Sequence, residues 1–551
     1  MLMPLRLLFL GLCAATVVAA EKPVPRLAVL IAVDQMRADF LVKFRPYFGE
    51  GGFKRLLLGG ANYPNCHYQH AISVTAPGHA TILSGVNANV HGIIANDWKD
   101  PQTLQDGNAV EDSASPLVGL PPHTGRYPNA TLAAKAGRSP RNFLGTTVGD
   151  RLKARYGAAA RVFGVADKDR SAILMAGTKA DGAYWTEEGR FVTSTFYRPE
   201  LPAWVEKFNS LHNLTHKFGQ VWDRLLEPEI YERVQGPDDA TGEYSGMGLT
   251  RIFPKRFDGG KSVPSNEFLG ILDVAPWSND LVAGLAEKLV EVERLGDDAT
   301  PDLLCVGFSQ PDGIGHAYGP DSHEVMDSYL RLDQVLARFL AFLDRKVGRE
   351  NYLLVLTADH GVGPIPEQTQ EKLGAASAGR IIAAEISAHV NAALDAVYGP
   401  LPADHYWTVR DASGFRLNAR ALEAKNVSLA RAATEVRQAV LKFPGIAEAW
   451  TREQLLSDQP LAGFGERMRL SYHAERSPDV MVVIKRYWLP GTTQASHGTP
   501  YDYDTHVPQL WFGAGIKPVV HPERVAVEDI APTLAGLLGV DLPEAKGRRL
   551  F

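Results

Sequence analysis

The segment RLAVLIAVD, residues 26–34, is an almost unbroken apolar run that ends in the carboxylate of Asp34. Three later runs share its character: RVFGVA (161–166), DLLCVGF (302–308) and NYLLVLTA (351–358). Continuous apolar runs of this length are typical of strands buried on both faces of a parallel sheet. Helical periodicity separates them, as between Ser322 and Gly348, so the sequence predicts an α/β fold with a mostly parallel central sheet flanked by helices.

A long segment interrupts this alternation of strands and helices. Residues 370–480 hold two helical patterns of their own, GRIIAAEISAHVNAALDAVYG and SLARAATEVRQAVLKF. We interpret the segment as an insertion that shapes access to a cleft. The sequence therefore predicts a core of residues 21–370 and 481–551, which includes a late strand in PQLWFGAGI (508–516), and an inserted α+β cap subdomain at residues 371–480.

An export signal precedes the predicted core. Residues 1–20, MLMPLRLLFLGLCAATVVAA, carry one Arg, an apolar run and the small residues Val18 and Ala20, which is typical of a cleaved signal peptide. We therefore expect a periplasmic or secreted protein. No other run is long enough to span a membrane, so no membrane partner is expected.

Composition limits the partners further. The 551-residue chain has a net charge of −6 and no basic block, so nucleic acid is not expected as a stable partner, and we expect a monomer. After removal of the signal peptide only Cys66 and Cys305 remain, and the sequence leaves open whether they pair.

Acidic residues and histidines follow the predicted strands or lie in Gly-rich loops. They are Asp34, Asp312, His316, Asp359, His360 and His497. Ligands of open parallel sheets collect outside the carboxyl ends of the strands, so we expect these residues to share one rim. Three Asp and three His suffice for two zinc ions with three protein ligands each and positions left open for a nucleophile and a substrate. Two metals about 4 Å apart stabilise the attacking and leaving oxygens of an in-line displacement, which indicates phosphoryl transfer.

The segment AISVTAPGHATILSG (71–85) supplies a nucleophile for that chemistry. Thr75 stands at the start of a predicted short helix that Gly85 ends, and the free N–H groups of its first turn would face an anion. Metal coordination lowers the pKa of a hydroxyl, so Thr75 is the predicted nucleophile. Taken alone, Thr75 is more often a helix N-cap, and each Asp or His more often structural. Their joint occurrence favours a metal centre.

The same positions carry family motifs: Thr75 in TAPGH, the early Asp34, Asp312 and His316 in DxxxH, Asp359 in DHG, and the late His497. Together they resemble the alkaline phosphatase superfamily over most of the mature chain. The most similar subgroup is the single-chain bacterial alkaline phosphatases with a Thr nucleophile and a Lys-x-Arg phosphate clamp, a branch near the nucleotide pyrophosphatase/phosphodiesterases. The resemblance implies a three-layer α/β sandwich with inserted cap segments.

The resemblance also implies residue roles. Asn96 in HGIIANDW would bind the phosphoryl group, and ADKDRSA would supply the clamp with Lys168 and Arg170. At i and i+2 of an extended segment these two side chains would point the same way and reach one phosphoryl group. A diester carries one charge fewer and replaces an oxygen with a second ester group, so the clamp favours monoesters.

The metal ligands divide into two sets by the same resemblance. Asp312, His316 and His497 would hold one zinc, and Asp34, Thr75, Asp359 and His360 the other. Additional Ca²⁺ or Mg²⁺ is left open. We expect the remaining candidates His79, His91 and His506 to be structural or to support the ligands from outside.

The predicted function is that of a phosphoric monoester hydrolase, an alkaline phosphatase that acts on small-molecule phosphate monoesters through a phosphothreonine intermediate at a di-zinc site. A sulfatase would need Cys or Ser in a C/S-x-P-x-R context, which does not occur. Two alternatives stay open. A nucleotide pyrophosphatase/phosphodiesterase would show the same metal set and nucleophile, and a secreted metal-binding protein would keep the site without the chemistry.

Overall fold

The computed structural model of the protein describes residues 24–120, 137–402 and 405–551. The predicted signal peptide, residues 1–20, lies outside the described residues. Across these described ranges, every helix is too short or too polar to cross a membrane.

Strands occur along the whole described chain. In chain order they are β1 (Leu27–Val33), β2 (Ala61–His67), β3 (Asp97–Lys99), β4 (Asp106–Asn108), β5 (Leu117–Val118), β6 (Val162–Ala166), β7 (Gly182–Glu187), β8 (Arg190–Ser194), β9 (Gln220–Trp222), β10 (Lys255–Phe257), β11 (Asp302–Phe308), β12 (Tyr352–Thr357), β13 (Gly379–Ile381), β14 (Thr408–Asp411), β15 (Gly414–Leu417), β16 (Ile446–Thr451), β17 (Val480–Ile484), β18 (Trp488–Pro490), β19 (His506–Gly513), β20 (Val519–Val520) and β21 (Val525–Ala526).

A large sheet lies at the centre, in the order β20-β2-β19-β12-β1-β11-β6-β7-β8-β5 with β21 also beside β2. The four apolar runs of the sequence form its middle, β12-β1-β11-β6, where every neighbouring pair is parallel and every residue is buried. The predicted α/β class with a mostly parallel central sheet flanked by helices is confirmed.

Antiparallel strands extend the sheet on both sides of this parallel centre. The predicted strand at 508–516 is β19, which runs antiparallel to both β12 and β2. On the other side β7 and β8 form a hairpin whose turn residues Glu188 and Gly189 have φ of 51° and 80°. Two consecutive residues at positive φ are typical of the tight turns that match the twist of a hairpin.

Helices connect and cover the strands. The α-helices are Phe40–Lys43, Phe53–Gly59, Thr75–Ser84, Ala88–His91, Val148–Tyr156, Asp169–Ala176, Ala203–Leu211, Pro228–Gln235, Asn266–Gly270, Ser278–Val292, Gln310–Tyr318, His323–Lys346, Pro366–Leu373, Ala383–Tyr398, Ala419–Ala424, Leu429–Lys442, Arg452–Leu456, Gly465–Ser471, Asp502–Thr505 and Ile530–Leu537. The predicted long helix begins as expected, because the Ser322 side chain accepts a hydrogen bond from the Val325 N–H and caps it.

A second, smaller unit lies within the segment predicted as an insertion and just beyond it. Its antiparallel sheet has the order β14-β15-β17-β16 and packs against the helices Ala383–Tyr398 and Leu429–Lys442. A hydrophobic cluster around Val390 and Val436, separate from the main core, stabilises it. Met468 and Tyr472 pack against Ile72, just before Thr75. The exact extent of the cap, residues 371–480, stays a prediction.

Candidate active site

Thr75 begins the helix Thr75–Ser84, which ends at Gly85 with a φ of 66°, as the sequence predicts. The residue is buried, with 1% of its surface exposed, and it is the first residue inside the helix, whose N-cap is Val74. Gly78 lets this helix approach β12, because a Cβ there would lie 2.4 Å from the carbonyl oxygen of Asp359. Close packing of the TAPGH turn against the DHG segment therefore brings the threonine hydroxyl to the carboxyl end of the sheet.

The first ligand cluster consists of Asp34, Asp359 and His360, whose ligand atoms lie within 4.8 Å of one another. Asp34 follows β1 and Asp359 follows its parallel neighbour β12, so the sheet itself brings them together. His360 Nε2 lies 3.3 Å from Asp34 Oδ1 and 3.2 Å from Asp359 Oδ2. The Thr75 hydroxyl oxygen is 3.4 Å from the same nitrogen. All three ligand residues are fully buried.

The second ligand cluster forms around Asp312. His316 Nε2 and His497 Nε2 lie 3.2 Å and 3.5 Å from Asp312 Oδ1. The rings of His360 and His497 stack with their centroids 3.5 Å apart, so His360 groups with Asp312 and His497 as well as with the first cluster. The two clusters adjoin, and the side chain of His316 is 28% exposed, on the open side.

The segment that carries Asp312 and His316 forms the helix Gln310–Tyr318, for which the sequence predicts neither helix nor strand. Residues i and i+4 of a helix lie on one face, which explains why both side chains point into the same cluster. Pro311 lies in the first turn, where the missing N–H costs nothing.

The imidazoles of His316, His360 and His497 are oriented by the backbone. Each Nδ1 contacts a carbonyl oxygen, of Ala495 at 2.8 Å, Gly361 at 2.9 Å and Ser73 at 2.9 Å respectively. A carbonyl only accepts hydrogen bonds, so Nδ1 carries a proton and Nε2 faces the carboxylates. This is the orientation that metal-binding histidines adopt.

Two further observations fit a divalent cation in each cluster. Asp34 Oδ1 and Asp359 Oδ2 are buried and have no hydrogen-bond partner among the described residues. Burial raises the pKa of Asp359 well above its usual range, and the charge of Asp34 adds to this effect. Burial also lowers the pKa of His360 to about 3, so its imidazole is neutral. The neutral imidazole of His360 beside the carboxylates of Asp34 and Asp359 makes a donor set whose charge a cation would neutralise.

Lys168 lies between the two clusters. Its Nζ is 2.7 Å from Asp34 Oδ2 and 2.5 Å from Asp312 Oδ2. Burial favours the neutral amine, but the charges of Asp312 and Asp34 outweigh it and raise the pKa of Lys168 above its ordinary value. Although burial opposes it, the charges of His316 and Lys168 hold the pKa of Asp312 well below its usual range.

The expectation that Lys168 and Arg170 occupy one extended segment is wrong. Lys168 is extended, with φ of −91° and ψ of 138°, but the helix Asp169–Ala176 begins at the next residue and includes Arg170. The carboxylate of Asp169 in the first turn accepts a bond from the Arg170 N–H at 2.6 Å, which favours the helix start. Arg170 Nη1 lies 3.6 Å from Asp169 Oδ1.

Asn96 is half-buried beside the start of the Thr75 helix. Its Oδ1 accepts a hydrogen bond of 2.8 Å from the Ala76 N–H, which leaves the amide NH₂ as a donor at this end of the helix. The structure thus brings Asn96 next to the residue that follows Thr75.

The three remaining histidines differ in position. His79 Nδ1 lies 2.8 Å from the Thr75 carbonyl oxygen and 3.3 Å from Asp359 Oδ2, so His79 supports the first cluster from outside. His91 contacts Thr81, and His506 contacts the Pro64 carbonyl. Cys66 and Cys305 are both free and buried.

One contact residue has no signal in the sequence. Gln35 donates from its backbone N–H to Asp359 Oδ1 at 3.1 Å and from its side chain to Asp312 Oδ1 at 2.7 Å. A glutamine after a strand-end aspartate belongs to no ligand pattern, so local sequence reasoning does not find it.

Known proteins resemble this chain over nearly its full length. PhoV, an alkaline phosphatase of Synechococcus elongatus, is 32% identical over 94% of this chain and 91% of its own. PafA, an alkaline phosphatase of Elizabethkingia meningoseptica, is 31% identical over 98% of this chain and 97% of its own. The crystal structure of wild-type PafA aligns with a TM-score of 0.86 at 30% identity over 96% of this chain and 98% of that chain.

A solved PafA variant, with a TM-score of 0.87, carries substitutions at a Thr, an Asn, a Lys and an Arg. Along its chain the Thr and Asn are separated as Thr75 and Asn96 are here, and the Lys and Arg as Lys168 and Arg170 are. The sequence family described as type I phosphodiesterase / nucleotide pyrophosphatase matches residues 28–507. The chain therefore belongs to the type I phosphodiesterase / nucleotide pyrophosphatase family.

Proposed function

We propose that this protein is an alkaline phosphatase that hydrolyses phosphate monoesters with Thr75 as the nucleophile at a two-zinc centre. The observation that carries the proposal is the buried Thr75 hydroxyl, 3.4 Å from the imidazole of His360, which groups with both ligand clusters. Named alkaline phosphatases that match over nearly the whole chain, and the PafA-like fold, support a phosphomonoesterase.

The metal ligands in this proposal follow the two clusters. Asp34, Thr75, Asp359 and His360 would hold one cation, and Asp312, His316 and His497 the other. Bound there, divalent cations supply Lewis acidity for an in-line displacement at phosphorus. The mixed imidazole and carboxylate donors favour zinc, which accepts both ligand types. Within the described residues, groups of three or more His, Cys, Asp or Glu side chains that could hold a cation occur only at this site, and additional Ca²⁺ or Mg²⁺ stays open.

The proposed hydrolysis has two steps, in which different residues of the site take part. Thr75 Oγ1 forms a bond to phosphorus while the bond to the leaving alkoxide breaks, which gives a phosphothreonine. Water then attacks the same phosphorus, releases inorganic phosphate and restores the threonine. The Asn96 amide and the cations of Lys168 and Arg170 stabilise the negative charge on the phosphoryl oxygens.

Lys168 supports a preference for monoesters. It is held at the junction of the two clusters by Asp34 and Asp312 and stays charged. A phosphoryl dianion gains more from that ammonium than the monoanion of a diester does. The family match also admits a phosphodiesterase, which is the second candidate function.

Further assignments belong to the same proposal. Residues 1–20 act as a cleaved signal peptide, and the protein works in the periplasm or outside the cell. It acts as a monomer on small phosphate esters, with no stable nucleic-acid partner, as its net charge of −6 favours. The cap subdomain at residues 371–480 shapes access to the cleft, which its packing beside Ile72 supports.

Metal analysis combined with a substrate pair tests the proposal. We expect two zinc ions per purified chain and a kcat/KM at least about 100-fold higher on 4-nitrophenyl phosphate than on bis(4-nitrophenyl) phosphate. A chelator should abolish both activities, and zinc should restore them. A reversed substrate preference would favour the phosphodiesterase, and zinc binding without turnover of either ester would favour a non-catalytic metal-binding protein.

A further inference from the structure

Gln35, two residues after the end of β1, has an unfavourable backbone conformation and is buried. Its φ of 67° lies in the left-handed region, which disfavours residues other than glycine, and only 2% of its surface is exposed. A buried residue keeps such a conformation only where the surrounding structure fixes it, and such residues concentrate at functional sites.

The contacts of Gln35 join the two ligand clusters. Its backbone N–H donates to Asp359 Oδ1 at 3.1 Å, and its side-chain amide donates to Asp312 Oδ1 at 2.7 Å. That oxygen of Asp312 is also the one nearest to His316 Nε2 and His497 Nε2. One residue therefore contacts a carboxylate of each cluster.

Gly315 explains how the side chain of Gln35 is held. A carboxylate only accepts hydrogen bonds, so the NH₂ of Gln35 must face Asp312 and its Oε1 must face the other way. There Oε1 lies against Gly315, where an added Cβ would be 1.7 Å away. Glycine lowers the stability of a helix interior, so its presence in Gln310–Tyr318 indicates a tertiary requirement, which Gln35 supplies.

We propose that Gln35 is a positioning residue that fixes the carboxylate of Asp312 for metal binding. Its strained backbone holds Asp359 at the same time, so the geometries of the two clusters are set relative to each other. The inference rests on the proposed two-metal function. Substitution of a partner that orients a metal ligand from outside typically weakens metal binding by about 10–100-fold.

The variant Gln35→Gly tests this role selectively. Glycine adopts a φ of 67° without strain, so the backbone bond to Asp359 is kept while the amide bond to Asp312 is lost. We expect titration of the metal-free variant with Zn²⁺, in competition with a chromophoric chelator, to show one of two equivalents weakened by about 10–100-fold. The other equivalent should stay within about twofold. The matched control Asn426→Gly removes another left-handed residue, at a φ of 50° in the cap, and should change neither equivalent.

A double-mutant cycle with Gly315 sharpens the test. Gly315→Ala should weaken the same equivalent, because its Cβ displaces the Gln35 amide, and the combination with Gln35→Gly should be no worse than the worse single variant. Unchanged zinc affinity in Gln35→Gly, or an equal loss at both equivalents, would overturn the positioning role. A wild-type protein that binds fewer than two zinc equivalents would instead refute the proposed function.

Discussion

Two groups of carboxylates are removed from water in this molecule, and they are compensated differently. Beside the ligand clusters, the buried Glu324 forms an ion pair of 2.7 Å with the buried Lys255, whose Nζ also donates to the carbonyls of Thr250 and Arg251. Glu243 completes this group, which we call the Lys255 cluster. At Asp34 and Asp359, by contrast, one oxygen of each carboxylate faces the imidazole nitrogen Nε2 of His360, at 3.3 Å and 3.2 Å.

This difference distinguishes the carboxylates that stabilise the fold from those that are proposed to bind metal and support the reaction. In the Lys255 cluster the chain supplies its own cation for Glu324, so the charges serve the fold. In the ligand clusters the histidines turn their Nε2 atoms inward and Lys168 reaches one oxygen of Asp34 and one of Asp312. The negative charge that Lys168 does not neutralise would be neutralised by bound metal ions. Substitutions in the ligand clusters should therefore change catalysis and metal binding, whereas substitutions in the Lys255 cluster should change stability.

The largest expected effect follows removal of the proposed nucleophile. Thr75→Ala should lower kcat for 4-nitrophenyl phosphate by on the order of 10³-fold or more, because the attacking oxygen is lost. The measurement is steady-state hydrolysis with zinc content determined in parallel. Thr81→Ala, in the same helix with its hydroxyl 3.3 Å from His91, is the matched control and should keep its activity within about threefold. Near-wild-type hydrolysis by Thr75→Ala would remove the threonine from the mechanism.

The next effect separates the two ligand clusters. His360 lies in both, so His360→Ala should weaken both zinc equivalents by about 10–100-fold or more, whereas His316→Ala should weaken one. Zinc content after dialysis against a weak chelator measures the difference. His389→Ala, whose imidazole contacts the Ala439 carbonyl in the cap, should retain both ions. Equal losses in the two ligand variants would contradict the assignment of His316 to a single cluster.

A smaller effect concerns the ammonium between the clusters. Lys168→Met should lower kcat/KM for the monoester by about 10–100-fold and for the diester by about threefold, because the diester carries one charge fewer. The ratio of the two rates is the measured quantity. Lys153→Met removes another lysine paired with a carboxylate, that of Asp181 at 2.7 Å, and should leave the ratio unchanged. Parallel losses on both esters would show that Lys168 acts through the metal ligands instead.

The parts of this site that sequence predicts are those set by the sheet. Apolar runs identify β1, β11 and β12, and parallel pairing brings the residues after β1 and β12 to one edge. The side chains of Asp34, Asp359 and His360 therefore meet as expected, while their catalytic roles stay a prediction.

The parts that sequence missed depend on contacts between distant segments. The helix that carries Asp312 has no clear helical pattern in the sequence because glycines lower helix propensity. Those glycines answer tertiary demands, since a Cβ at Gly313 would lie 2.1 Å from the Asp273 carbonyl oxygen and one at Gly315 would meet Gln35. The turn at Lys168 is similar, because the extended pattern ends where Asp169 starts a helix. No local pattern carries this information.

The smallest expected effect lies in the Lys255 cluster and has a defined pH dependence. Burial, and secondarily the charge of Glu324, raises the pKa of Glu243 from 4.5 to about 9. The folded state therefore binds this proton more tightly than the unfolded chain does. The stabilisation that the proton provides is complete below about pH 4.5 and is lost as the pH rises toward 9.

Glu243→Gln removes the ionisation and keeps the shape. It should raise the free energy of unfolding by about 1–3 kcal/mol at pH 9 and leave it nearly unchanged at pH 4.5, with kcat per bound zinc unaffected. Thermal midpoints measured at both values check this, and the exposed Glu371→Gln serves as the control. A gain of equal size at both pH values would mean that Glu243 acts by packing rather than by charge. A fall in kcat would mean that the Lys255 cluster takes part in catalysis. The connection would run through Tyr318, because Lys255 Nζ lies 4.4 Å from the centre of its ring. Tyr318 ends the helix that carries Asp312 and His316.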